Sequence, residues 1–346
     1  MKKLRIGMIG CGQIMPATAS GILESRHCEM KGFFDIENAA LEAAGVEYGL
    51  PTQNDLFKFL DDDGIDAVYI AVPHALHAAI AVEAMRAGKH VMIEKPMTTT
   101  PGDARFIVDE AGKTGMVAGV AMSRRLTGGV QKARELIGKG AIGDIASTRI
   151  NAIGYKDEKY WSNGVGGRAR RSTWRAFQGM AGGGILIMNA IHNLDAMYYM
   201  TGLKPSGVTA LGGTYTAAAA VEDMIGVLIS YENSRAYGVC EAMSSAFGAA
   251  HTDNTDVIYG TRGTIRFVGN ILSIYTTVEG LGIPTGVFTE IPVAEKKDRS
   301  LLMDDFAMAI RDGGKPLIPA EDGALIVGTI CAAYRSLLSG KPESVI

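Results

Sequence analysis

A regular alternation of short apolar runs with helical stretches over residues 1–122 constrains the fold of this chain more than any other feature. Runs that are apolar along their whole length are typical of strands covered by helices on both faces. Stretches between them, such as HAAIAVEAMRAGK, have the spacing of amphipathic helices. The alternation therefore predicts a doubly wound, parallel α/β sheet. Its apolar runs are Leu4–Ile9, Met30–Phe34, Ala67–Val72, His90–Ile93 and Met116–Ala121.

After about residue 145 the chain changes to β-rich pieces joined by tight turns. Short turns rich in Gly, Asn and Ser predict hairpins, so this half is expected to form a large, mostly antiparallel sheet. A long helical stretch, 183–200, interrupts the strands, and further helices are expected near 300–312 and 320–339. The hairpin turns are Glu232-Asn233-Ser234, Thr261-Arg262-Gly263 and Gly269-Asn270.

The length of 346 residues is too great for one ordinary compact core and predicts two domains. We expect an α/β domain over residues 1–122. Residues 123–346 are expected to form an α+β domain with an open-faced sheet, and its last helices can pack back on the first domain. An open sheet face commonly packs against a second copy, so a homodimer or homotetramer is expected.

The composition excludes several classes of protein. The net charge is −3, and the densest basic patch, RARRSTWR at 168–175, is too short to predict nucleic-acid binding. No segment has the uninterrupted apolar length of a membrane helix, and the N-terminus is interpreted as a strand, not a signal peptide. Four cysteines without CxxC pairs or metal-ligand spacing indicate buried, reduced thiols, so we expect a cytoplasmic protein without a metal site.

The first strand runs directly into GCGQIM at its junction with the first helix. Gly10 permits a tight turn, and Gly12 lets the backbone approach a pyrophosphate that the free N–H groups of the helix then bind. Gln13 and Ile14 are expected to contact the same dinucleotide. Met15 replaces the third glycine of the usual pattern, which predicts altered helix packing, not a lost site. The alternative is a glycine-rich turn of purely structural origin.

The second strand, GFFD, ends in Asp35, 23 residues after Gly12. An acid at this position accepts hydrogen bonds from the adenosine ribose hydroxyls and repels a 2′-phosphate. Neither Ile36 nor Glu37 offers a cation for such a phosphate. The pattern therefore favours NAD over NADP as the cofactor, against the alternative of an ordinary strand-end carboxylate.

Two more strands end in polar residues at the edge where an open α/β sheet binds its ligands. AVPHALH ends the third strand, which places Val72, Pro73 and His77 at the rim of the cofactor crevice. For the histidine the preferred interpretation is that it opens a helix, apart from backbone contact with the nicotinamide half of the cofactor. IEKP ends the fourth strand, so Glu94 and Lys95 stand over the same crevice, unless they are a solvated strand-end pair.

The combination of GMIGCGQI, FFD, GKHVMIEKPM and a downstream GGGILIMNAIHNLD resembles the glucose–fructose oxidoreductase / inositol dehydrogenase (Gfo/Idh/MocA) family. The β-rich second half and the VIYGTRGTIRF hairpin also fit that family, so the resemblance covers most of the chain. It implies an NAD(P)-dependent enzyme that acts on sugars or cyclitols. Residues 1–122 would be its dinucleotide-binding Rossmann domain, and residues 123–346 its open-faced domain for substrate binding and oligomerisation. It also implies that Lys95 and His192 are the catalytic pair.

The helical stretch that follows Gly182–Gly184 carries a polar face on an otherwise apolar helix. Asn189, His192, Asn193 and Asp195 fall on one contiguous arc of a helical wheel. Such a face needs hydrogen-bonding partners, which a substrate cleft would supply; the other interpretation is a core histidine satisfied by Asp195 or by backbone. We expect Asn189, His192 and Asp195 to contact the substrate.

The family commonly has an acid or amide four residues before this histidine, where this chain has Met188. A carboxylate there would orient the imidazole and raise its basicity. His192 must therefore take support from Asp195, from Asn189 or from elsewhere. This departure bears on the substrate more than on the cofactor.

STWRAFQGMAGGG places Trp174 and Arg175 in the segment that leads to this helix, and the resemblance implies a position near the substrate. An indole suits the apolar face of a sugar. Tyr155 is a weaker candidate for substrate contact. Three further arginines can bind a carboxylate or phosphate, or form a basic loop at a subunit contact; they are Arg168, Arg170 and Arg171.

The main hypothesis is a dehydrogenase or ketoreductase that acts on a sugar, sugar derivative or cyclitol with NAD. His192 would be the acid/base, since histidine titrates near neutrality, and Lys95 would hydrogen-bond the reacting oxygen and stabilise its developing charge. The first alternative is hydrolysis or elimination of a glycoside through transient oxidation, with NAD recycled. The second is an NAD-binding regulator without catalysis, which loss of Lys95 or His192 would have favoured.

Overall fold

The computed structural model describes residues 2–162, 174–217, 219–294 and 299–345. By compactness the chain divides into two units. Unit 1 comprises residues 1–122, 159–182 and 298–327, and unit 2 comprises residues 123–158, 183–297 and 328–346. Two stretches beyond residue 122 therefore cluster with the N-terminal residues. The three arginines at 168, 170 and 171 lie outside the described residues.

Unit 1 is built on a six-stranded parallel sheet. Its strands are β1 Leu4–Ile9, β2 Cys28–Phe34, β3 Thr52–Gln53, β4 Ala67–Ile70, β5 His90–Ile93 and β6 Ala118–Val120. They lie in the order β3-β2-β1-β4-β5-β6, and neighbours are parallel. All residues of β4 are buried, as expected of a strand covered on both faces. The predicted doubly wound sheet is confirmed, and its strand order reverses between β1 and β4, where such sheets bind ligands.

Unit 2 is built on a nine-stranded, mostly antiparallel sheet. Its strands are β7 Ile145–Ile153, β8 Pro205–Gly213, β9 Met224–Tyr231, β10 Tyr237–Met243, β11 Thr255–Gly260, β12 Gly263–Val268, β13 Ile271–Thr276, β14 Thr289–Glu290 and β15 Glu343–Ser344. The order is β14-β13-β12-β11-β7-β10-β9-β8-β15. β7 and β10 pair in parallel, while the other neighbours pair antiparallel.

The three predicted hairpin turns join antiparallel neighbours of this sheet: β9 to β10, β11 to β12, and β12 to β13. Asn233, in the first turn, has a φ of 50°, in the left-handed region that asparagine tolerates better than most residues. The expected antiparallel sheet of the second half is therefore confirmed. The parallel pair of β7 and β10 was not predicted, because their facing residues, such as Ser147 and Tyr237, lie 90 residues apart along the chain and leave no local turn signal.

The helices are α1 Met15–Glu24, α2 Asn38–Tyr48, α3 Leu56–Leu60, α4 His77–Arg86, α5 Pro101–Thr114, α6 Gly128–Gly138, α7 Glu158–Ser162, α8 Gln178–Ala181, α9 Ile191–Thr201, α10 Arg299–Asp312 and α11 Ala320–Ser339. The helix predicted over 183–200 begins with a π-helical turn, Leu186–Ala190, which continues into α9. Among the described residues, no helix combines the length and the apolar character needed to cross a membrane.

One face of the nine-stranded sheet is solvent-exposed and partly apolar. Burial alternates along β9, so every second side chain points away from the core. The register places Leu228 beside Val239 on this face, and Tyr259 faces Ser147 on the next pair of strands. The large exposed apolar residues of these strands are Leu211, Leu228, Tyr237, Val239 and Tyr259. A sheet face of this kind is a candidate for a subunit contact.

Candidate active site

The glycine-rich loop after β1 contains two glycines with different requirements. Gly10 has a φ of 101°, and a Cβ there would overlap the carbonyl oxygen of Ala71. The fold itself therefore requires glycine at position 10. Within the described part of the chain, a Cβ on Gly12 would meet no atom closer than 4 Å. Internal packing does not explain the second glycine, whereas close approach of a ligand to the backbone does.

The first turn of α1 begins without a side-chain cap. Ile14 stands at the N-cap and makes no side-chain hydrogen bond, although this position usually holds a residue that accepts from the first N–H groups of a helix. Those N–H groups suit an anionic ligand. Met15, in place of the third glycine, is fully buried and packs the helix against its unit.

Asp35 ties the end of β2 to the glycine-rich loop. Its Oδ2 accepts a hydrogen bond from the Cys11 backbone N–H at 2.7 Å, and its Oδ1 accepts from the Glu37 N–H at 2.9 Å. The carboxylate is thus oriented by backbone on both sides while the residue stays partly exposed. Each oxygen has a second lone pair with which it can accept from a further donor.

Lys95 and Glu94 directly follow β5, and Glu94 is buried among charged and polar partners. Its Oε1 accepts from the Tyr69 hydroxyl and from the Arg299 guanidinium, each at 2.8 Å, and its Oε2 accepts from the Lys95 backbone N–H at 3.1 Å. Burial alone would raise the pKa of Glu94. The charge of Arg299, helped by Lys95 and Tyr69, outweighs burial, so the pKa lies below its usual value.

The Lys95 side chain is partly exposed at this carboxyl edge, and its pKa is lowered. Burial is the main cause, Arg175 and Arg299 add to it, and Glu94 opposes it. The peptide bond from Lys95 to Pro96 is cis. A lysine with a lowered pKa at the ligand-binding edge of a parallel sheet is a candidate for proton transfer or for hydrogen bonding to a reacting oxygen.

Trp174 and Arg175 belong to the same unit as Lys95 and form an aromatic and cationic cluster with His74. The rings of Trp174 and His74 meet edge to face with centroids 4.6 Å apart, and His74 Nδ1 lies 2.8 Å from the Ala181 carbonyl oxygen. The Arg175 guanidinium lies 4.5 Å from the Trp174 ring centroid. Burial, followed by the charge of His77, holds the pKa of His74 well below its ordinary value.

Two predicted cofactor ligands, His77 and Glu94, are buried instead of exposed in the crevice. His77 is 0% exposed, and its Nδ1 and Nε2 each lie 2.9 Å from a backbone carbonyl oxygen, of Pro96 and Val72 respectively. Glu94 is 6% exposed and paired as described above. We correct the prediction for Glu94, whose side chain supports the strand end. His77 is the first residue of α4, which agrees with the preferred interpretation that it opens a helix. Val72 and Pro73 are partly exposed, as a rim position requires.

Three glycines, Gly182–Gly184, precede the helix that carries His192, and the last two, which belong to unit 2, allow close approach within that unit. A Cβ on Gly183 would overlap the Tyr334 hydroxyl, and one on Gly184 would overlap the carbonyl oxygen of Glu222. The Glu222 carboxylate accepts from the Gly184 N–H at 2.6 Å, the Leu186 N–H at 3.0 Å and the Tyr334 hydroxyl at 2.9 Å. Burial raises the pKa of Glu222, and these donors oppose the rise.

Asn189 and His192 are partly exposed, whereas Met188 is 4% exposed. Asn189 and Met188 lie in the π-helical turn, a local widening that recurs at functional sites of helices. Tyr155, 51% exposed, packs its ring against Phe247 with centroids 4.6 Å apart. Unit 2 therefore presents Tyr155, Asn189 and His192 with exposed surface.

Asp195 is the predicted substrate ligand that the structure places elsewhere. It is 0% exposed, and its two oxygens accept from the Arg125 guanidinium at 2.9 and 2.6 Å. A carboxylate enclosed in this way cannot contact a substrate directly, so we correct the prediction to a structural ion pair. Its polar position on the helical wheel reflects a buried guanidinium, not a substrate cleft.

Three partners of these groups were missed from the sequence: Arg299 of Glu94, Tyr334 of Glu222 and Arg125 of Asp195. The pairs are separated by 205, 112 and 70 residues along the chain. No periodicity or spacing rule links residues so far apart.

Comparison with known proteins identifies both parts of the chain. Residues 4–122 match the GFO_IDH_MocA family, described as an oxidoreductase family with an NAD-binding Rossmann fold. Residues 130–266 match the GFO/IDH/MocA C-terminal domain. The two matches together cover more than half of the chain.

Individual relatives are distant but extend over most of the chain. It is 24% identical to 1,5-anhydro-D-fructose reductase of Ensifer adhaerens, over 99% of this chain and 98% of the relative. It is 25% identical to scyllo-inositol 2-dehydrogenase (NAD(+)) of Bacillus subtilis strain 168, over 83% of this chain and 80% of the relative. A solved structure of the WlbA dehydrogenase from Bordetella pertussis, in complex with NADH and UDP-GlcNAcA, superposes with a TM-score of 0.84. The two sequences are 23% identical, and the match covers 100% of this chain and 99% of that one. That likeness shows a shared fold.

Proposed function

We propose, because the chain belongs to the GFO/IDH/MocA family of oxidoreductases, that it transfers a hydride between NAD and a hydroxyl or keto carbon of a sugar, a sugar derivative or a cyclitol. The observation that carries the proposal is Lys95. It follows β5 at the edge where a parallel sheet binds ligands, is partly exposed, and has a lowered pKa.

The residues of unit 1 fit NAD. The pyrophosphate would approach Gly12, where no atom of the residues in the described ranges lies within 4 Å of an added Cβ. It would meet the N–H groups of α1 behind Gln13 and Ile14. Asp35, already oriented by backbone donors, would accept from the adenosine ribose hydroxyls. With Glu37 two residues further on, this end of β2 disfavours the 2′-phosphate of NADP.

The reaction needs a base for a proton and a donor for an oxygen. NAD, when bound, accepts the hydride that leaves the carbinol carbon. The hydroxyl proton of the same carbon passes to the imidazole of His192, and the C–O bond becomes a carbonyl. Lys95 donates a hydrogen bond to that oxygen and stabilises its partial negative charge during the step. Reduction of a ketone uses the same groups in reverse.

The substrate would lie against the polar and aromatic residues that keep exposed surface. Trp174 offers an indole face to the apolar side of a sugar ring, and Arg175, which stacks on that indole, has N–H groups suited to hydroxyl or carboxylate oxygens. Asn189 and Tyr155 would provide further hydrogen bonds. Because Met188 cannot accept a strong hydrogen bond, Asn189 is the residue that we propose as the support of His192.

We also propose that the chain forms a homodimer or homotetramer through the exposed face of the nine-stranded sheet. The support for this is the row of exposed apolar side chains on neighbouring strands, including Leu211, Leu228 and Tyr259. Light scattering of the wild type and of a Leu228→Glu variant would test it. The account expects a dimer or tetramer that dissociates in the variant, and a monomeric wild type would contradict it.

An assay with NAD against free sugars, cyclitols and their glycosides tests the proposed reaction, with NADH and released aglycone followed together. NADH that accumulates with a free sugar or cyclitol, and is lost in Lys95→Met and His192→Ala, supports the proposal. A Lys58→Met variant is the matched control, since that lysine is 73% exposed on α3. Aglycone release without net NADH would replace net transfer by a closed redox cycle, and silence in both channels would contradict catalysis.

A further inference from the structure

His77 is a buried polar side chain at the strand ends that the proposed reaction does not use. It is the first residue of α4 and is 0% exposed. Its Nδ1 lies 2.9 Å from the carbonyl oxygen of Pro96, and its Nε2 lies 2.9 Å from the carbonyl oxygen of Val72. One ring therefore spans the two chain segments that leave β4 and β5.

The hydrogen bonds that His77 makes to the two carbonyl oxygens depend on the protonation state of its imidazole ring. Carbonyl oxygens only accept hydrogen bonds, while an imidazole donates from one nitrogen when neutral and from both when protonated. The neutral ring of His77 therefore bonds one of the two carbonyls, and the protonated ring bonds both. The protonated ring thus ties the Val72 and Pro96 backbones together, whereas the neutral ring is bonded to one of them and packs against the other.

The two carbonyls lie next to residues that the proposed function uses. Pro96 directly follows Lys95, and Val72 precedes Pro73 on the rim of the crevice. On the other side of Lys95, its backbone N–H donates to the Glu94 carboxylate at 3.1 Å. The lysine is thus held from both sides, by Glu94 through its own amide and by His77 through the next carbonyl.

We propose, on the basis of the function proposed above, that His77 is a positioning residue that fixes the backbone of Lys95 relative to the segment after β4. In this role His77 acts through the backbone, and its side chain, which is 0% exposed, makes no direct contact with substrate or cofactor. Displacement of a reacting group by about 1 Å can cost about 100-fold in rate, so loss of the bridge should lower kcat while leaving the binding surfaces in place.

The chain provides a matched control in His90, at the opposite end of β5. Its Nδ1 accepts a hydrogen bond from the Val117 backbone N–H at 2.9 Å. Substitution of His90 also removes a contact between a ring nitrogen and backbone, but it does so away from Lys95. A general loss of stability in unit 1 should therefore affect both variants, whereas misplacement of Lys95 should affect only one.

Kinetics with three variants test the proposal. His77→Phe keeps a ring without donors, and kcat should fall by about 100-fold with KM for the sugar and Kd for NADH nearly unchanged. His77→Gln keeps two N–H donors and should restore kcat to within about tenfold of the wild type. His90→Phe should leave kcat unchanged. Equal kcat in folded His77→Phe and wild type, or an equal loss in both Phe variants, would overturn the proposal.

Hydrogen exchange of residues 94–99 in the protein without ligand gives a readout that needs no turnover. The proposal expects faster exchange there in His77→Phe than in the wild type, and no change in His90→Phe. Unchanged exchange would overturn the bridge even if the enzyme is active. If no sugar reacts with NAD, the proposed function fails, but this comparison still decides the role of His77. If His77→Phe does not fold, His77→Asn, too short to reach both carbonyls, takes its place in both experiments.

Discussion

Two buried glutamates, one in each unit, are held in opposite ways. Glu94 in unit 1 faces the Arg299 guanidinium at 2.8 Å, and that charge outweighs burial and lowers the pKa of the carboxyl. Glu222 in unit 2 faces the Tyr334 hydroxyl and backbone N–H groups, all of them neutral donors. There burial prevails, and the pKa of the carboxyl is raised.

The difference shows what each carboxylate supports. An ionised Glu94 favours the protonated form of the neighbouring Lys95, against burial and two arginines. Glu222 instead accepts hydrogen bonds from the N–H groups of Gly184 and Leu186, at the start of the segment that leads to His192. It acts there as a helix cap that comes from a distant part of the chain. Charge pairing therefore stabilises the surroundings of Glu94, and close backbone packing stabilises the surroundings of Glu222.

Gly184→Ala should cause the largest loss of stability. The new Cβ would overlap the carbonyl oxygen of Glu222, and overpacking against backbone costs about 3 kcal/mol. Urea unfolding measures the change in the free energy of unfolding. Gly179→Ala, five residues earlier, is the control: its Cβ would meet no atom of the described residues within 4 Å, so stability should change by less than about 1 kcal/mol. Equal effects of the two substitutions would contradict close packing at Gly184.

Arg299→Leu should be the next most damaging, since it leaves the buried Glu94 carboxylate without its cation. The Arg299 side chain is 29% exposed, so we expect a loss of about 2 kcal/mol, below the range for fully buried pairs. Arg311→Leu on the same helix is the control, because that arginine is 43% exposed and pairs with its exposed neighbour Asp312. Its cost by urea unfolding should be below about 0.5 kcal/mol. A harmless Arg299→Leu would refute the charged half of the contrast.

Two tyrosine hydroxyls compare the regions directly. Tyr334→Phe removes a neutral donor from Glu222, and it also removes the acceptor of the Ile187 N–H. We expect a loss of about 1.5 kcal/mol in the free energy of unfolding. Tyr69→Phe should cost about 0.5 kcal/mol, because Arg299 remains bonded to Glu94. The reverse order would show that charge does not compensate for the lost hydroxyl.

The pH dependence of stability should have opposite signs for the two glutamates. The pKa of Glu94 is lowered on folding, so its contribution is present above the unfolded pKa of about 4.3 and is lost as pH falls through the folded value. The pKa of Glu222 is raised, so its contribution is present below about 4.3 and is lost as pH rises through the folded value.

Thermal unfolding of Glu94→Gln and Glu222→Gln from pH 3 upward measures this last and smallest effect. Relative to Glu94→Gln, the wild type should gain stability as pH rises. Relative to Glu222→Gln, it should lose stability over the same direction. Slopes of the same sign in both comparisons would contradict the contrast.

The sequence predicts the features that depend on local pattern. Continuous apolar runs predicted the parallel sheet, and the turn at Asn233 predicted a hairpin, because both signals lie within a few residues. Gly10 was predicted as a tight turn for the same reason, and its φ of 101° agrees. These features need no knowledge of distant partners.

What the sequence could not predict depends on partners far along the chain. Asp195 and His192 share a helical face, but Arg125 encloses the acid and leaves the histidine with exposed surface. His77 has the position of a rim residue, yet its ring turns inward to two carbonyl oxygens. A helical wheel or a strand end gives the direction of a backbone, not the group that a side chain meets.

The measurement that tests the central claim most directly is the fate of deuterium from carbon-deuterated myo-inositol and glucose, incubated with the wild type and NAD. Hydride transfer predicts that mass spectrometry of the recovered coenzyme finds NADH carrying one deuterium. The yield should fall by about 1,000-fold in Lys95→Met, where the donor to the reacting oxygen is gone, and stay unchanged in Lys58→Met. Coenzyme that binds the protein but never carries deuterium, from either probe, would contradict net hydride transfer.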